Sequence, residues 1–380
     1  AGESIKRSVN AGKTGRIITV GSGATGAIDK LQQLIGVSLP PATRQSLDTL
    51  LGNALGADKL DAFKHHLDEH QPIVFVGPYE HHSNEISWRE NLATVVPVRL
   101  DNDGGIDLQH LETLLQDPAY QGRQRIGSFS AASNVTGIIS PVHEIAALLH
   151  RYDALACFDF AASAPYVKID MNPPAGQYDG DASLDAIFIS PHKFLGGPGS
   201  SGVLVFHERL YHRELPPTVS AGGTVDYVGP TNQDFITHIE EREKPGTPGV
   251  LQVLKAAMVF EIKDNVTTAR IEKREHELLE KVFTHWRANP AIEILGNQNP
   301  AKRVGIISFN VKSNQGQSDD GYYLHPKFVT TLLNDLFGIQ SRAGCSCAGP
   351  YGHRLLGIDE QTSEEYRRCV TEGYSGIKPG

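Results

Sequence analysis

The sequence predicts an α/β protein with a mostly parallel, doubly wound sheet and a smaller α+β domain at its C-terminal end. Between residues 16 and 206, short apolar runs alternate with helical patterns, which is typical of parallel strands covered by helices on both faces. After about residue 250, two long helical segments are followed by alternating strand-like and helical segments. We therefore expect a large domain over residues 1–250 and a small domain over residues 251–380.

The large domain is predicted to begin with a short helix, a strand at Arg16–Val20 and, after a glycine-rich turn, a helix over residues 27–35. Residues 41–70 have a helical pattern. Further strands are predicted at residues 72–76, 95–98, 126–130, 155–160, 186–189 and 203–206. Ser140 is expected to cap a helix that has Pro141 at its first position. Polar clusters follow these strands, so they should meet at one edge of the sheet.

The small domain is predicted from two helical patterns, residues 250–265 and 268–289, and from alternating strand and helix over residues 293–312 and 322–340. Residues 314–321 are expected to form a polar loop. Residues 344–353 form a loop rich in cysteine, glycine and proline.

Composition excludes several classes of protein. The net charge of -9 argues against a nucleic-acid-binding surface. No apolar run approaches the roughly 20 residues of a membrane span, and no secretory signal pattern opens the sequence. Four cysteines are too few for a disulfide scaffold, and Cys345 and Cys347 are too close to bridge. Reduced thiols and a cytoplasmic location are therefore expected.

One lysine lies in a glycine-rich connection between two predicted strands. Ser190-Pro191-His192-Lys193 follows the run at 186–189, and glycines precede the run at 203–206. Burial there would lower the pKa of the Lys193 ammonium toward the free amine, the form that makes a Schiff base with an aldehyde. Ser190 and His192 could hold a phosphate of that aldehyde, since the glycines allow close backbone approach. For a His-Lys pair taken alone, a solvated lysine is the alternative.

Three other strand ends carry polar residues. The turn over residues 21–26 precedes a helix and can bind an anion through free N–H groups, although many such turns are only structural. His81 and His82 follow the strand at 72–76; adjacent histidines seldom point in one direction, and no His or Cys nearby has the spacing of a zinc site. Asp159 interrupts an apolar strand and needs a partner.

Together these residues resemble the fold-type I pyridoxal-phosphate enzymes of the class V aminotransferase family, and most of all its cysteine desulfurases. The resemblance extends over almost the whole chain. It implies pyridoxal 5'-phosphate as cofactor, with Lys193 as the lysine that binds it covalently. Asp159 would bind the pyridinium nitrogen. A carboxylate there keeps the ring protonated, so that the ring can take up electrons from the substrate.

The resemblance also implies further contacts to the cofactor. His81 would stack on the pyridoxal ring, and Asn134 would bond on the side of its phenolic oxygen. Thr247 would reach the phosphate in the neighbouring subunit, which implies a homodimer. Four residues would hold the phosphate from within the subunit: Ala24, Thr25, Ser190 and His192.

The segment over residues 341–348 resembles the family's Arg-x-Gly-x-x-Cys-Ala segment. Arg342 would clamp the substrate carboxylate with its planar guanidinium. Cys347 would attack the substrate sulfur and carry it as a persulfide, and a mobile loop suits a thiol that visits both cofactor and acceptor. For a lone loop cysteine, a spectator thiol is the alternative.

The implied reaction converts L-cysteine, or a related amino acid, to L-alanine through a Cys347 persulfide, with a sulfur-acceptor protein as partner. A class V aminotransferase or a C–S lyase acting on cysteine or selenocysteine needs no such thiol, and both stay as alternatives. Cys345 forms a Cys-x-Cys with Cys347, a pattern that resembles the molybdenum-cofactor sulfurases and their sulfur transfer.

Two more departures from the family pattern affect the expectations. Ala162 stands where the family has a glutamine, three residues after the pyridinium aspartate, so one hydrogen bond to the phenolic oxygen is missing or supplied otherwise. The family's N-terminal segment before the first helix, and its final strand after turns such as Gly373–Gly380, are not found. Both chain ends are therefore expected to be truncated.

Overall fold

A seven-stranded sheet forms the centre of the computed structural model, which describes residues 1–313, 322–344 and 346–372. The sheet has the order β1-β7-β6-β5-β4-β2-β3. Strand β7 runs antiparallel to both of its neighbours, and the other neighbouring pairs are parallel. The mostly parallel sheet is confirmed. Its strands are β1 (Gly15–Val20), β2 (Ile73–Val76), β3 (Thr94–Pro97), β4 (Arg125–Ser130), β5 (Ala154–Asp159), β6 (Ala186–Ile189) and β7 (Gly202–His207).

Helices cover both faces of this sheet. Neighbouring residues of one strand, such as Ile187 and Phe188 on β6, belong to two different buried clusters, because successive strand side chains point to opposite faces. The helices are α1 (Gly2–Ser8), α2 (Gly23–Leu34), α3 (Pro41–Leu55), α4 (Ala57–His70), α5 (Ile86–Arg89), α6 (Leu108–Leu115), α7 (Val142–Arg151), α8 (Ile239–Arg242), α9 (Val250–Val266), α10 (Thr268–Arg287), α11 (Pro326–Phe337), α12 (Gly349–Leu355) and α13 (Glu360–Thr371).

Two small hairpins follow the main sheet: β8 (Val225–Val228) with β9 (Gln233–Phe235), and β10 (Ile292–Ile294) with β11 (Phe309–Val311). Leu279 and Phe283 of α10 pack on Ile294 of β10 in a separate apolar cluster. Helix α9, in contrast, packs Ala256 and Phe260 into the main core. The division of the chain at about residue 250 stays a prediction.

The helical prediction for residues 41–70 is confirmed, but α3 and α4 contribute no buried residue. The predicted cap at Ser140 is wrong, because α7 begins at Val142 and has no side-chain cap. The Ser140 hydroxyl instead donates to the carbonyl oxygen of Ser130 at 2.6 Å and lies 2.7 Å from the hydroxyl of Tyr79. The predicted loop over residues 314–321 lies outside the described residues.

Within residues 1–313, 322–344 and 346–372, none of the helices combines the length and the apolar composition that crossing a bilayer requires.

Candidate active site

A cavity of about 160 Å3 opens where β4, β5 and β6 end. Because these strands are parallel, their carboxyl ends share one edge, and the side chains that follow them converge. All of the cofactor-binding residues predicted from within one subunit line this cavity: Ala24, Thr25, His81, Asn134, Asp159, Ser190, His192 and Lys193. The remaining lining residues are Ser22, Ser83, Ser130, Ala132, Ala161 and Ala162.

Lys193 ends a single 3-10 turn, Pro191–Lys193, directly beyond β6. Its backbone N–H donates to the carbonyl oxygen of Ser190 at 2.9 Å, which fixes the turn. The expected burial of the Lys193 side chain is wrong, since the residue is exposed. The reason is geometric: the turn projects past the end of the strand, so its side chain faces the open cavity and not the sheet.

Asp159 is the last residue of β5 and only 5% of its surface is exposed. Its Oδ1 accepts the backbone N–H of Ala161 at 2.8 Å. Burial raises the pKa of Asp159, while that hydrogen bond and the charge of Lys193 oppose the rise. A buried carboxylate in this position is stabilised by a cation placed beside it, because the opposite charge favours the ionised form.

The first turn of α2 lies against the segment that precedes Lys193. Gly23 has a φ of +61°, and a Cβ there would lie 2.6 Å from Cε1 of His192 and 2.9 Å from Oγ of Ser190. The same Oγ accepts the N–H of Ala24 at 2.9 Å. Burial, and then the charge of Lys193, lowers the pKa of His192. Hydroxyl, imidazole and helix N–H groups therefore meet at one end of the cavity, as an anion requires.

His81 and His82 point to different places, as expected for adjacent histidines. His81 lines the cavity, and its Nδ1 accepts the backbone N–H of Ser83 at 3.1 Å. The neutral ring therefore carries its proton on Nε2. Burial lowers the pKa of His81 to about 4, assisted by the charges of Lys193, His82 and Arg342, so the imidazole is neutral at physiological pH.

Glu80, whose role the sequence does not predict, accepts every hydrogen bond at the centre of a buried network next to His81. Its Oε1 accepts the N–H groups of Gly77 at 3.1 Å and Ser130 at 2.8 Å. Its Oε2 accepts Nδ2 of Asn84 and Oγ of Ser130, both at 2.7 Å. Burial raises the pKa of Glu80 to about 7 against these hydrogen bonds from Ser130 and Asn84. The network joins the ends of β2 and β4.

The predicted thiol is tied to this cavity through its neighbours. Nη2 of Arg342 lies 3.2 Å from Sγ of the half-buried Cys347. Asn134, a cavity residue, donates from Nδ2 to the carbonyl oxygen of Ser346 at 2.6 Å. Arg342 and Cys347 do not themselves line the cavity. Cys345, and with it the Cys-x-Cys prediction, lies outside the described residues.

Thr247 lies just before α9, is exposed, and does not line the cavity of the single chain. Its predicted role in a neighbouring subunit stays a prediction. Ala162 lines the cavity in the place of the family's glutamine. Ser83 and Ser130 are cavity residues that the sequence did not predict, although Ser83 belongs to the polar cluster after β2 and Ser130 is the last residue of β4.

Comparison with known proteins identifies the family. Residues 60–360 match the family described as Aminotransferase class-V. The chain therefore belongs to the class V aminotransferase family, and the predicted family is confirmed. A structure of cysteine desulfurase from Thermococcus onnurineus superimposes with a TM-score of 0.69 at 21% identity, covering 99% of this chain and 83% of that one. The predicted fold type is thereby confirmed.

Two relatives show the level of sequence similarity. A probable cysteine desulfurase from Halalkalibacterium halodurans is 29% identical over 281 residues, which are 73% of this chain and 62% of the relative. A cysteine desulfurase from Haloferax volcanii is 26% identical over 349 residues, 90% of this chain and 74% of the relative. The chain thus spans 62% of the length of the first relative.

Proposed function

We propose that this chain is a pyridoxal-phosphate-dependent cysteine desulfurase that passes the sulfur of L-cysteine to Cys347 and releases L-alanine. The observation that carries the proposal is the Arg342–Cys347 pair, which Asn134 ties to the cavity through Ser346. A thiol paired with a cation beside a lysine-containing cavity fits sulfur transfer better than amino transfer, which needs no thiol. The names of the relatives agree with this choice.

The cavity residues fit pyridoxal phosphate on three counts. Asp159 offers a buried carboxylate to a protonated ring nitrogen. Oδ1 of Asn134 is buried and has no hydrogen-bond partner among the residues that the structure describes, so it is available to a polar group of the cofactor. Gly23 leaves space that a Cβ would fill beside Ser190 and His192, where Ala24 and Thr25 add the helix terminus for the phosphate. When bound through Lys193, the cofactor supplies an electron sink for the substrate.

The protein groups then have separate tasks. Arg342 binds the substrate carboxylate through a charge-assisted pair, and this requires the guanidinium to move from the sulfur of Cys347. His81 lines the cavity and would hold the cofactor ring with its imidazole. Since its pKa of about 4 keeps that imidazole unprotonated, it would also be able to accept a proton. Thiolate Cys347 attacks the substrate sulfur. The C–S bond breaks, an S–S bond forms on Cys347, and the carbon is protonated to the methyl group of alanine.

A homodimer with shared sites is part of the proposal. The single chain exposes an apolar stripe along α9 that includes Leu251 at 76%, Leu254 at 47% and Met258 at 59% exposure. Leu195, two residues from Lys193, is 82% exposed. A second copy of the chain would cover this apolar surface and would bring its own Thr247, just before α9, to a neighbouring phosphate. A sulfur-acceptor protein and a cytoplasmic location remain predictions from the sequence.

The test is one incubation of the purified protein, loaded with pyridoxal phosphate, with L-cysteine. Alanine, pyruvate and sulfide are measured together, and added sulfur is located by mass spectrometry of the peptides. We expect alanine, and on Cys347 an added mass of about 32 Da, which is one sulfur atom. Cys347→Ser should lose both while keeping the cofactor colour. Cys369→Ser, an exposed thiol on α13, is the matched control and should retain both.

Pyruvate formation at the wild-type rate by Cys347→Ser would replace the proposal by a C–S lyase. Amino transfer to a keto acid without sulfide would replace it by an aminotransferase.

A further inference from the structure

We propose that His82 is a positioning residue that holds the Cys347 segment docked beside the active site. The inference rests on the proposed function only in taking Cys347 as the thiol that accepts sulfur. The position of the Cys347 segment is a property of the folded chain. His82 and Cys347 are far apart in sequence, yet two hydrogen bonds join their segments.

The first bond runs from the backbone N–H of His82 to the carbonyl oxygen of Cys347, at 2.8 Å. The second runs from the N–H of Gly349 to Nε2 of His82, at 2.9 Å. A single histidine therefore holds the carbonyl of Cys347 through its backbone and the N–H of Gly349, two residues further on, through its side chain. His82 does not line the cavity, so its ring is not needed to contact substrate or cofactor for this task.

The backbone at the thiol is strained, and this strain must be compensated. Ser346 has a φ of +51° and Cys347 a φ of +59°. Non-glycine residues avoid this left-handed region, and a strained pair persists only where surrounding contacts fix it. The contacts that fix it are the two bonds to His82 and the bond from Asn134 to Ser346.

The chain after the thiol is anchored in the core, so the docked position is well defined. Ala348 is fully buried and Tyr351 is 2% exposed. The Tyr351 hydroxyl lies 3.1 Å from Oγ1 of Thr136, and its ring packs edge-on against Tyr79 at 5.6 Å between centroids. Cys347 thus directly precedes Ala348, the first buried residue before helix α12. The hydrogen bonds to His82 hold this end of the Cys347 segment beside the active site.

The experiment measures alkylation of the full chain by iodoacetamide, quantified for each cysteine by peptide mass spectrometry. Two variants separate shape from hydrogen bonding. His82→Phe keeps the volume of a ring but has no acceptor, whereas His82→Gln offers Oε1 as an acceptor near the position of Nε2. The chain supplies its own references: Cys369 is exposed and lies on α13, and Cys157 is fully buried in β5.

We expect Cys347 of His82→Phe to react about fivefold faster than in the wild type, the effect of losing one neutral hydrogen bond. The rate at Cys369 should not change, and Cys157 should stay unreactive, which shows that the fold is intact. His82→Gln should restore most of the wild-type rate at Cys347.

An unchanged Cys347 rate in His82→Phe, or equal acceleration in both variants, overturns the inference. If Cys157 also becomes reactive in His82→Phe, that variant has unfolded, and His82→Gln is then compared with the wild type. Alkylation of Cys347 in His82→Gln as fast as in an unfolded chain contradicts the proposed role. Alkylation requires no turnover. A desulfurase without accelerated alkylation refutes only the docking role, and accelerated alkylation without alanine formation refutes only the proposed function.

Discussion

The buried carboxylate of Glu80 gives a quantitative prediction for the variant Glu80→Gln. Burial raises the pKa of Glu80 from 4.5 to about 7, so between these values the folded protein holds a proton that the unfolded chain has released. Stability from this group is therefore complete below pH 4.5 and is lost as the pH rises through 7. At about 1.4 kcal/mol per pH unit, the loss amounts to about 3 kcal/mol.

Glutamine removes this titration but introduces a fixed penalty. Its Oε1 can still accept the N–H groups of Gly77 and Ser130, whereas its NH2 group faces Nδ2 of Asn84. Asn84 cannot rotate freely to accept, because its Oδ1 already accepts Oγ of Ser128 at 2.6 Å. The unsatisfied donor costs about 1–3 kcal/mol at every pH. The difference in the free energy of unfolding between the wild type and Glu80→Gln therefore has a part that changes with pH and a constant part, and a pH series separates the two.

The assay is urea unfolding of the cofactor-free protein at pH values from 4.5 to 8, followed by the fluorescence of Trp88, which is fully buried beside Asn84. The stability of the wild type relative to Glu80→Gln should fall by about 3 kcal/mol across this range. Glu90→Gln, at an exposed glutamate, should follow the wild type at every pH. A wild-type–variant difference that does not change with pH would refute the reasoning.

Two further substitutions test the two ends of the cavity. Gly23→Ala should weaken pyridoxal-phosphate binding about tenfold or more in an absorbance titration, since the new Cβ meets His192 and the backbone is left-handed. The control is Gly36→Ala, at a glycine with a φ of +78° but open space around it, which should bind the cofactor normally. Equal losses of affinity in the two variants would contradict the role of the contact with His192. Asp159→Asn should lower alanine formation about a hundredfold, because it breaks a buried ion pair with the cofactor. The same variant should be more stable than the wild type at pH 7 without cofactor, because the raised pKa of Asp159 makes its charged form unfavourable in the folded protein. Loss of both activity and stability would assign Asp159 a structural role only.

The sequence was most informative where one local pattern determines one position. The cavity residues follow strands, and parallel strands place their ends at one edge, so Lys193, Asp159 and His81 could be predicted to meet before any coordinates. Glu80 could not be assigned in this way. Its role depends on donors from Gly77, Asn84 and Ser130, and the last of these is distant in sequence.

The errors have similar physical causes. Lys193 was expected to be buried because of its glycine-rich surroundings, but exposure depends on how far the turn projects beyond β6. Ser140 has the residue type of a helix cap, yet its hydroxyl bonds the carbonyl of Ser130 across the chain. In both positions, tertiary geometry decided between two locally acceptable arrangements. His82 shows the same limit, since its partner Gly349 is near it only in the fold.

The position of β1 has a consequence for how the chain is made. Within the described part of the chain, β1 pairs with β7 alone. A ribosome adding about 5–20 residues per second needs on the order of 10–40 s to synthesise the roughly 190 residues between Gly15 and His207. During that time Ile17 and Ile18, buried in the finished protein, have no strand beside them. The nascent chain therefore presents the apolar strand Gly15–Val20 without its partner until β7 has been synthesised, and a chaperone that binds such strands would act on it during that interval.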